Sequence, residues 1–271
     1  MTQAAVGALI PIRLSSSRLR GKALKPIVGR PAVHHLLDRC FASRHLTPER
    51  VVVCTTTDPA DDPLVPVVEA TGAKVFRGHR DDLVDRLYRA ASAYGFDVVA
   101  EVDGDDICVD PFYLDLCVDR LLTDERLDVV CGEGLPFSIS ARVVRTRALQ
   151  TVFERYTPGK NDTGFMYYLT RSNLFRVGGV TPVSPRHAHP TLRLTLDYEE
   201  DLALFRAIFA ALYQPGRVFG IEEIVALVQR QPELLQLNAG LEERYWQRTR
   251  ELIEGQAMEI RTPEGIRRIG A

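Results

Sequence analysis

Between residues 13 and 22 the chain gathers Arg13, Arg18 and Lys22 with Ser15, Ser16, Ser17 and Gly21, directly after the apolar run Val6 to Ile10. Hydroxyls, backbone N–H groups and positive charge converging at the end of a buried strand suit an anionic ligand, and a triphosphate is the natural one. A second cluster, Asp103-Gly104-Asp105-Asp106, closes a strand expected at Asp97 to Val102. Carboxylates grouped there, with a glycine permitting close approach, can hold a hard cation through oxygen ligands. A third polar group, Asp197 with Glu199, Glu200 and Asp201, ends the alternating run Leu192-Arg-Leu-Thr-Leu. Acids at that place also favour the dipole of a helix starting beside them.

The elements that must carry these groups read as alternating strands and helices, an α/β sheet with helices on both faces. Strands are expected at Val6 to Ile12, Val51 to Cys54, Lys74 to Phe76, Asp97 to Val102, Asp128 to Cys131 and Leu192 to Leu196. Helices are expected from Pro31, from Asp81, from Pro111 to Leu122, around Arg147 to Phe153, after Asp197, over Ile221 to Val228 and over Glu242 to Glu254, with a loosely held tail beyond. Thr55, Thr56, Thr57 and Asp58 follow the second strand, where open sheets place ligands and where threonines also cap. The run Thr157 to Gly164 is rich in turn formers. His187 and His189 flank Ala188 and would share one face of a strand. With no third ligand nearby they read as acceptor contacts rather than a metal site.

A chain of 271 residues with 45% hydrophobic content suffices for one packed core. A net charge of −2 argues against a nucleic-acid partner. Five cysteines without C-x-x-C spacing read as reduced core residues. No stretch approaches a membrane span and the first residues lack a signal-peptide pattern, so a cytoplasmic protein with no membrane partner is expected.

The run Ile10-Pro-Ile-Arg-Leu-Ser-Ser-Ser-Arg-Leu-Arg-Gly-Lys-Ala-Leu24 resembles the signature I-[PQ]-A-R-x-x-S-x-R-L-P-G-K-x-L of the cytidylyltransferases that activate sugar acids, in particular the SpsF-like branch. Ile12 replaces the family's Ala and Arg20 its Pro, neither of which removes a charge. Gly78 to Arg86 is similar to the G-x-x-D-D-V-L-D-R block, Leu192 to Leu202 to L-R-x-T-x-D-x-x-E-D-L, and Gln231 to Asn238 to the N-P-E-L-x-x-x-N ending. The likeness covers roughly Val6 to Asn238 and is poorest between residues 132 and 190, where Arg142 stands at a position that is acidic in the branch.

What the resemblance implies is a Rossmann-like nucleotidyltransferase, a three-layer sandwich with a mostly parallel sheet. Residues 1–213 would form the nucleotidyltransferase domain, with an acceptor-binding and dimerisation insert at about 132–190, and residues 214–271 a helical C-terminal extension. Arg13, Ser16, Arg18, Lys22, Arg86 and Asp105 would bind CTP, with Lys22 stabilising charge at the reacting phosphorus. Asp105 and Asp197 would hold Mg²⁺, and catalysis would rest on Lys22, Arg13, Asp105 and Asp197. Such enzymes pass CMP to a hydroxyl of a small acid and release pyrophosphate. A carboxylate-bearing acceptor suits Arg142, Lys160, Arg186 and Arg193 beside His187 and His189, and a homodimer is the family expectation. A glycosyltransferase using a nucleotide sugar is the competing enzyme, because Asp103-Gly-Asp105 also fits the D-x-D motif of such folds. A silent nucleotide-binding scaffold is the competitor from another class.

Overall fold

The computed structural model describes residues 4–158, 164–189, 191–255 and 258–270. Among them, seven strands form one sheet: β1 (Val6–Pro11), β2 (Val51–Thr56), β3 (Lys74–Gly78), β4 (Val98–Glu101), β5 (Val129–Gly132), β6 (Arg142–Arg145) and β7 (Val177–Val180). Their spatial order is β3-β2-β1-β4-β6-β5-β7, and only β6 runs against its neighbours. β1 and β2 are apolar almost without interruption because each is paired on both edges and covered on both faces. Register follows from the alternation of side chains: Ala8 and Ile10 of β1 lie in one apolar cluster with Val51 and Val53, and Leu9 lies in the other with Val52 and Cys54.

The first cluster is closed by α1 (Ala32–Phe41), α4 (Pro111–Thr123), α7 (Glu199–Leu212) and α8 (Ile221–Arg230), while α2 (Leu64–Glu69) contributes Leu64 and Val68. The opposite face is closed by α3 (Leu83–Ala93), α5 (Thr146–Arg155) and α6 (Met166–Thr170). The helix starts carry their own chemistry. Asp82, not Asp81, caps α3 by accepting from Asp85 N at 3.0 Å. Asp110 caps α4 by accepting from Phe112 N at 2.9 Å, and its other oxygen accepts from Ile221 N at 2.7 Å, so one buried carboxylate fixes the starts of α4 and α8 together.

Two expectations are corrected. Leu192 to Leu196 is extended and buried but forms no ladder; its amides instead reach single loop carbonyls, Leu194 N to Phe137 O at 3.2 Å and Leu196 N to Asp105 O at 3.0 Å. The chain after α9 (Leu241–Gly255) is not a loose tail. β8 (Glu259–Thr262) and β9 (Gly265–Arg268) form a hairpin, and Met258, Ile260 and Ile269 are buried in the α5–α6 face of the core.

Candidate active site

The functional groups meet at the C-terminal ends of β1 and β4, adjacent central strands. After β1 the chain closes a loop in which Gly21 N donates to Leu14 O at 3.0 Å, with Gly21 at φ 63°, a conformation that favours glycine. Leu14 N donates to Asp61 Oδ1 at 2.7 Å, and Asp61 is itself held by the Thr56 hydroxyl at 2.5 Å. Thr56, the last residue of β2, is therefore a buried support of the loop rather than a ligand, while Thr55 is buried in the strand and Thr57 is exposed. After β4, Gly104 lies so close to β1 that a Cβ there would stand 2.3 Å from Ile12 Cγ1 and 2.8 Å from Pro11 O. This close approach brings Asp105 over the cationic loop.

One ammonium joins three segments. Lys22 Nζ donates to Asp105 Oδ2 and, at 3.0 Å, to Asp197 Oδ1. Asp197 is fully buried and also accepts from Arg18 and, at 3.0 Å, from Arg193 Nη2. Burial opposes its ionisation, but Lys22, Arg18 and Arg193 outweigh that and hold the carboxyl down to about 2. Asp105 goes the other way: burial pushes it up to about 6 against the pull of Lys22. For Lys22, the loss of solvent is outweighed by Asp105 and Asp197, and its proton is held more tightly than usual. Asp197 is aligned from behind by Asp201, whose Oδ2 accepts from Asp197 N and Tyr198 N at 3.0 Å each. Asn238 donates to Asp201 Oδ1 at 2.9 Å. The asparagine of the chain's N-P-E-L-like ending thus acts through Asp201 on Asp197.

Arg13, Ser16, Arg18, Lys22, Arg86 and Asp105 all line one cavity of about 430 Å³. Six cationic side chains face three carboxylates in that lining, an excess that suits a polyanion. Arg86 is almost fully buried and donates to His79 O at 3.3 Å. The candidate metal ligands also meet: ligand oxygens of Asp103, Asp105 and Asp106 lie within 4.8 Å of one another, and Asp105 shares the Lys22 ammonium with Asp197. The all-oxygen donor set of Asp103, Asp105 and Asp106 fits a hard divalent cation.

The expected acceptor residues are not brought together in this way. Lys160 lies outside the described residues, and none of the other five lines the cavity. Arg142 comes nearest, donating to Glu101 Oε2 at 2.6 Å and Asp103 Oδ2 at 2.5 Å. Arg193 is corrected from acceptor contact to support, since it is 3% exposed and bonded to Asp197 and Asp201. His187 is corrected likewise. It sits in a 3-10 turn, not a strand, with Nδ1 2.6 Å from the Tyr113 hydroxyl and Nε2 2.9 Å from Glu222. The turn also removes the shared face expected with His189, which faces Thr191, while Arg186 is exposed on the same turn.

A family model described as cytidylyltransferase matches residues 7–236. The chain belongs to the cytidylyltransferase family. It is thus a CTP-dependent nucleotidyltransferase. This cytidylyltransferase is 25% identical over 236 residues to the spore coat polysaccharide biosynthesis protein SpsF of Bacillus subtilis (strain 168), covering 83% of the chain and 94% of SpsF. It is 30% identical over 177 residues to a 3-deoxy-manno-octulosonate cytidylyltransferase of Yersinia pseudotuberculosis, 62% of each chain. A solved cytidylyltransferase from Leptospira borgpetersenii shares the fold, with a TM-score of 0.77 at 23% identity over 86% of this chain and 98% of that one.

Several residues of this cytidylyltransferase site had not been singled out from sequence. Asp61 acts as a support, and Arg80 and Arg248 enter the cavity from distant segments, whereas Asn238 was visible as the last residue of the N-P-E-L-like ending. Asp103 and Asp106 were visible as part of the acidic cluster, whose spacing is the signal that marks them.

Proposed function

We propose that this enzyme transfers CMP from CTP to a hydroxyl of a small, carboxylate-bearing acceptor, with Mg²⁺ and release of pyrophosphate. The observation that carries the proposal is the Lys22 ammonium held against both Asp105 and Asp197 at the floor of a cation-rich cavity. The triphosphate tail lies along the loop of Arg13, Ser16 and Arg18, and Arg86 closes the nucleotide side.

The acceptor hydroxyl gives up its proton to solvent as its oxygen attacks the α-phosphorus, the bond to the bridging oxygen breaks, and pyrophosphate departs with that bond's electron pair. Lys22, handed over from Asp105 and Asp197 when these hold the metal, neutralises charge that grows on the α-phosphate oxygens. Arg13 and Arg18 hold the departing pyrophosphate. Asp103, Asp105 and Asp197 would hold Mg²⁺, which when bound neutralises phosphate charge and lowers the pKa of an acceptor hydroxyl. Arg193, Asp201 and Asn238 keep Asp197 in place. On the acceptor side, Arg142, whose Nε and Nη2 bond Glu101 and Asp103, contributes positive charge beside the acidic cluster that favours a carboxylate-bearing acceptor.

Pyrophosphate release from CTP across a panel of hydroxy acids, sugar acids and uncharged alcohols tests the reading. Turnover confined to acids supports it. Turnover with uncharged alcohols alone overturns the carboxylate assignment, and CTP turnover with no member of the panel removes the transfer step as stated.

A further inference from the structure

The family match ends at residue 236, so helix α9 and the hairpin after it lie outside what the family assigns. Leu241, Tyr245, Arg248 and Leu252 recur at steps of four, three and four residues, which places them on one stripe of α9. That stripe faces the site. Arg248 and Leu252 line the same cavity as Arg13, Arg18 and Lys22, and Tyr245 lies over the guanidinium of Arg18 at 5.5 Å and that of Arg193 at 4.7 Å. The helix is pinned at both ends. Tyr245 and Trp246 pack on Phe137 at 5.3 and 5.5 Å, and Ile253 is 1% exposed in the core beside the hairpin.

Arg248 differs in what it touches from Arg13, Arg18, Lys22 and Arg80 of the same cavity. Arg13 pairs with Asp81, Arg18 with Asp197, Lys22 with Asp105 and Asp197, and Arg80 with Asp58. Arg248 Nη2 donates to the neutral Ser17 hydroxyl at 3.1 Å, and among the described residues no carboxylate pairs with it. A guanidinium held by a pinned helix beside the triphosphate loop, paired with no carboxylate among the described residues, is matched by an anionic ligand.

We infer that Arg248 is a ligand of the triphosphate tail, so that the segment beyond the family match completes the nucleotide site. This rests on reading the cavity as the CTP site. The contact is at the loop hydroxyl of Ser17, so it serves the terminal phosphates that CTP has and CMP lacks.

Calorimetric titration of CTP and CMP into wild type, Arg248→Ala, Arg248→Lys and Arg250→Ala, all with Mg²⁺, tests it. Arg250 is exposed and about 200° around the helix from Arg248, so its variant removes the same charge away from the cavity. The expected result is a CTP dissociation constant about tenfold higher in Arg248→Ala, with CMP binding within about twofold of wild type, as loss of one charge-assisted contact implies. Arg248→Lys recovers part of the loss, and Arg250→Ala binds both nucleotides as wild type does. Unchanged CTP affinity in Arg248→Ala, or equal weakening of CTP and CMP, overturns the inference while leaving the CTP site intact. Failure of the wild type to bind CTP removes the underlying reading, and the inference falls with it.

Discussion

Lys22 Nζ reaches Asp105 and lies 3.0 Å from Asp197, so a side chain from the loop after β1 ties together carboxylates from two other segments of the chain. The contact is local and electrostatic, yet it fixes how three loops sit against one another. Breaking it has different consequences from each side.

Lys22→Ala leaves Asp197 with Arg18 and Arg193, so the protein stays folded while the group aimed at the reacting phosphate is lost. The expected fall in kcat is about 100-fold or more, the usual scale for one preorganised charge donor. Asp105→Asn gives a comparable loss with a native circular dichroism spectrum. Turnover of either purified variant within about threefold of wild type contradicts the assignment.

Asp197→Ala acts on stability as well as turnover. Three cations lose their shared partner, and Arg193 is left buried, 3% exposed, with a weaker hold. Breaking a buried ion cluster from one side costs about 3–5 kcal/mol. Chemical denaturation should show that loss, and a midpoint matching wild type contradicts it.

Gly104→Ala places a Cβ 2.3 Å from Ile12 Cγ1 and 2.8 Å from Pro11 O, so the turn carrying Asp103 to Asp106 must lift away from β1. Overpacking of this kind costs about 1–3 kcal/mol. Because the turn positions Asp105, turnover falls by more than the folded fraction does. A variant with wild-type kcat and stability contradicts the close packing.

His35 sets a pH dependence outside the active site. Its Nε2–H donates to Ile27 O at 2.9 Å, and its ring centroid is 4.4 Å from that of Phe209. Burial, aided by Arg30 and Arg39, lowers its pKa below the ordinary 6.5 despite the Ile27 carbonyl. A histidine with a depressed folded value binds fewer protons when folded, so its contribution is present above about 6.5 and lost as pH falls below it. Denaturation midpoints between pH 5 and 7.5 should therefore slope downward toward acid in wild type and less steeply in His35→Gln. Parallel slopes contradict this.

The part of the site legible in the sequence is the part made by strand ends. β1 announces itself by continuous burial, and everything polar just after it, Arg13 to Lys22, must emerge at one edge of the sheet. The same logic placed Asp105 after β4. Asp197 meets Lys22 although its segment is not the strand its alternation suggests: its amides bond loop carbonyls and no ladder forms. Arg193 and His187 carry charge or hydrogen-bonding capacity that sequence reads as availability. Burial against Asp197, and between Tyr113 and Glu222, is set by the tertiary fold alone. The hairpin at residues 259–268 was invisible because its buried residues are few and scattered among charges.

Calorimetric titration of CTP, UTP, ATP and GTP, each with and without Mg²⁺, is the most direct test of the central claim. Selective, Mg²⁺-dependent binding of CTP is the predicted result. Absence of triphosphate binding, or equal binding of CTP with and without the metal, would contradict a cavity lined by Lys22 and Asp105 and backed by Asp197 as the site of a metal-bound CTP.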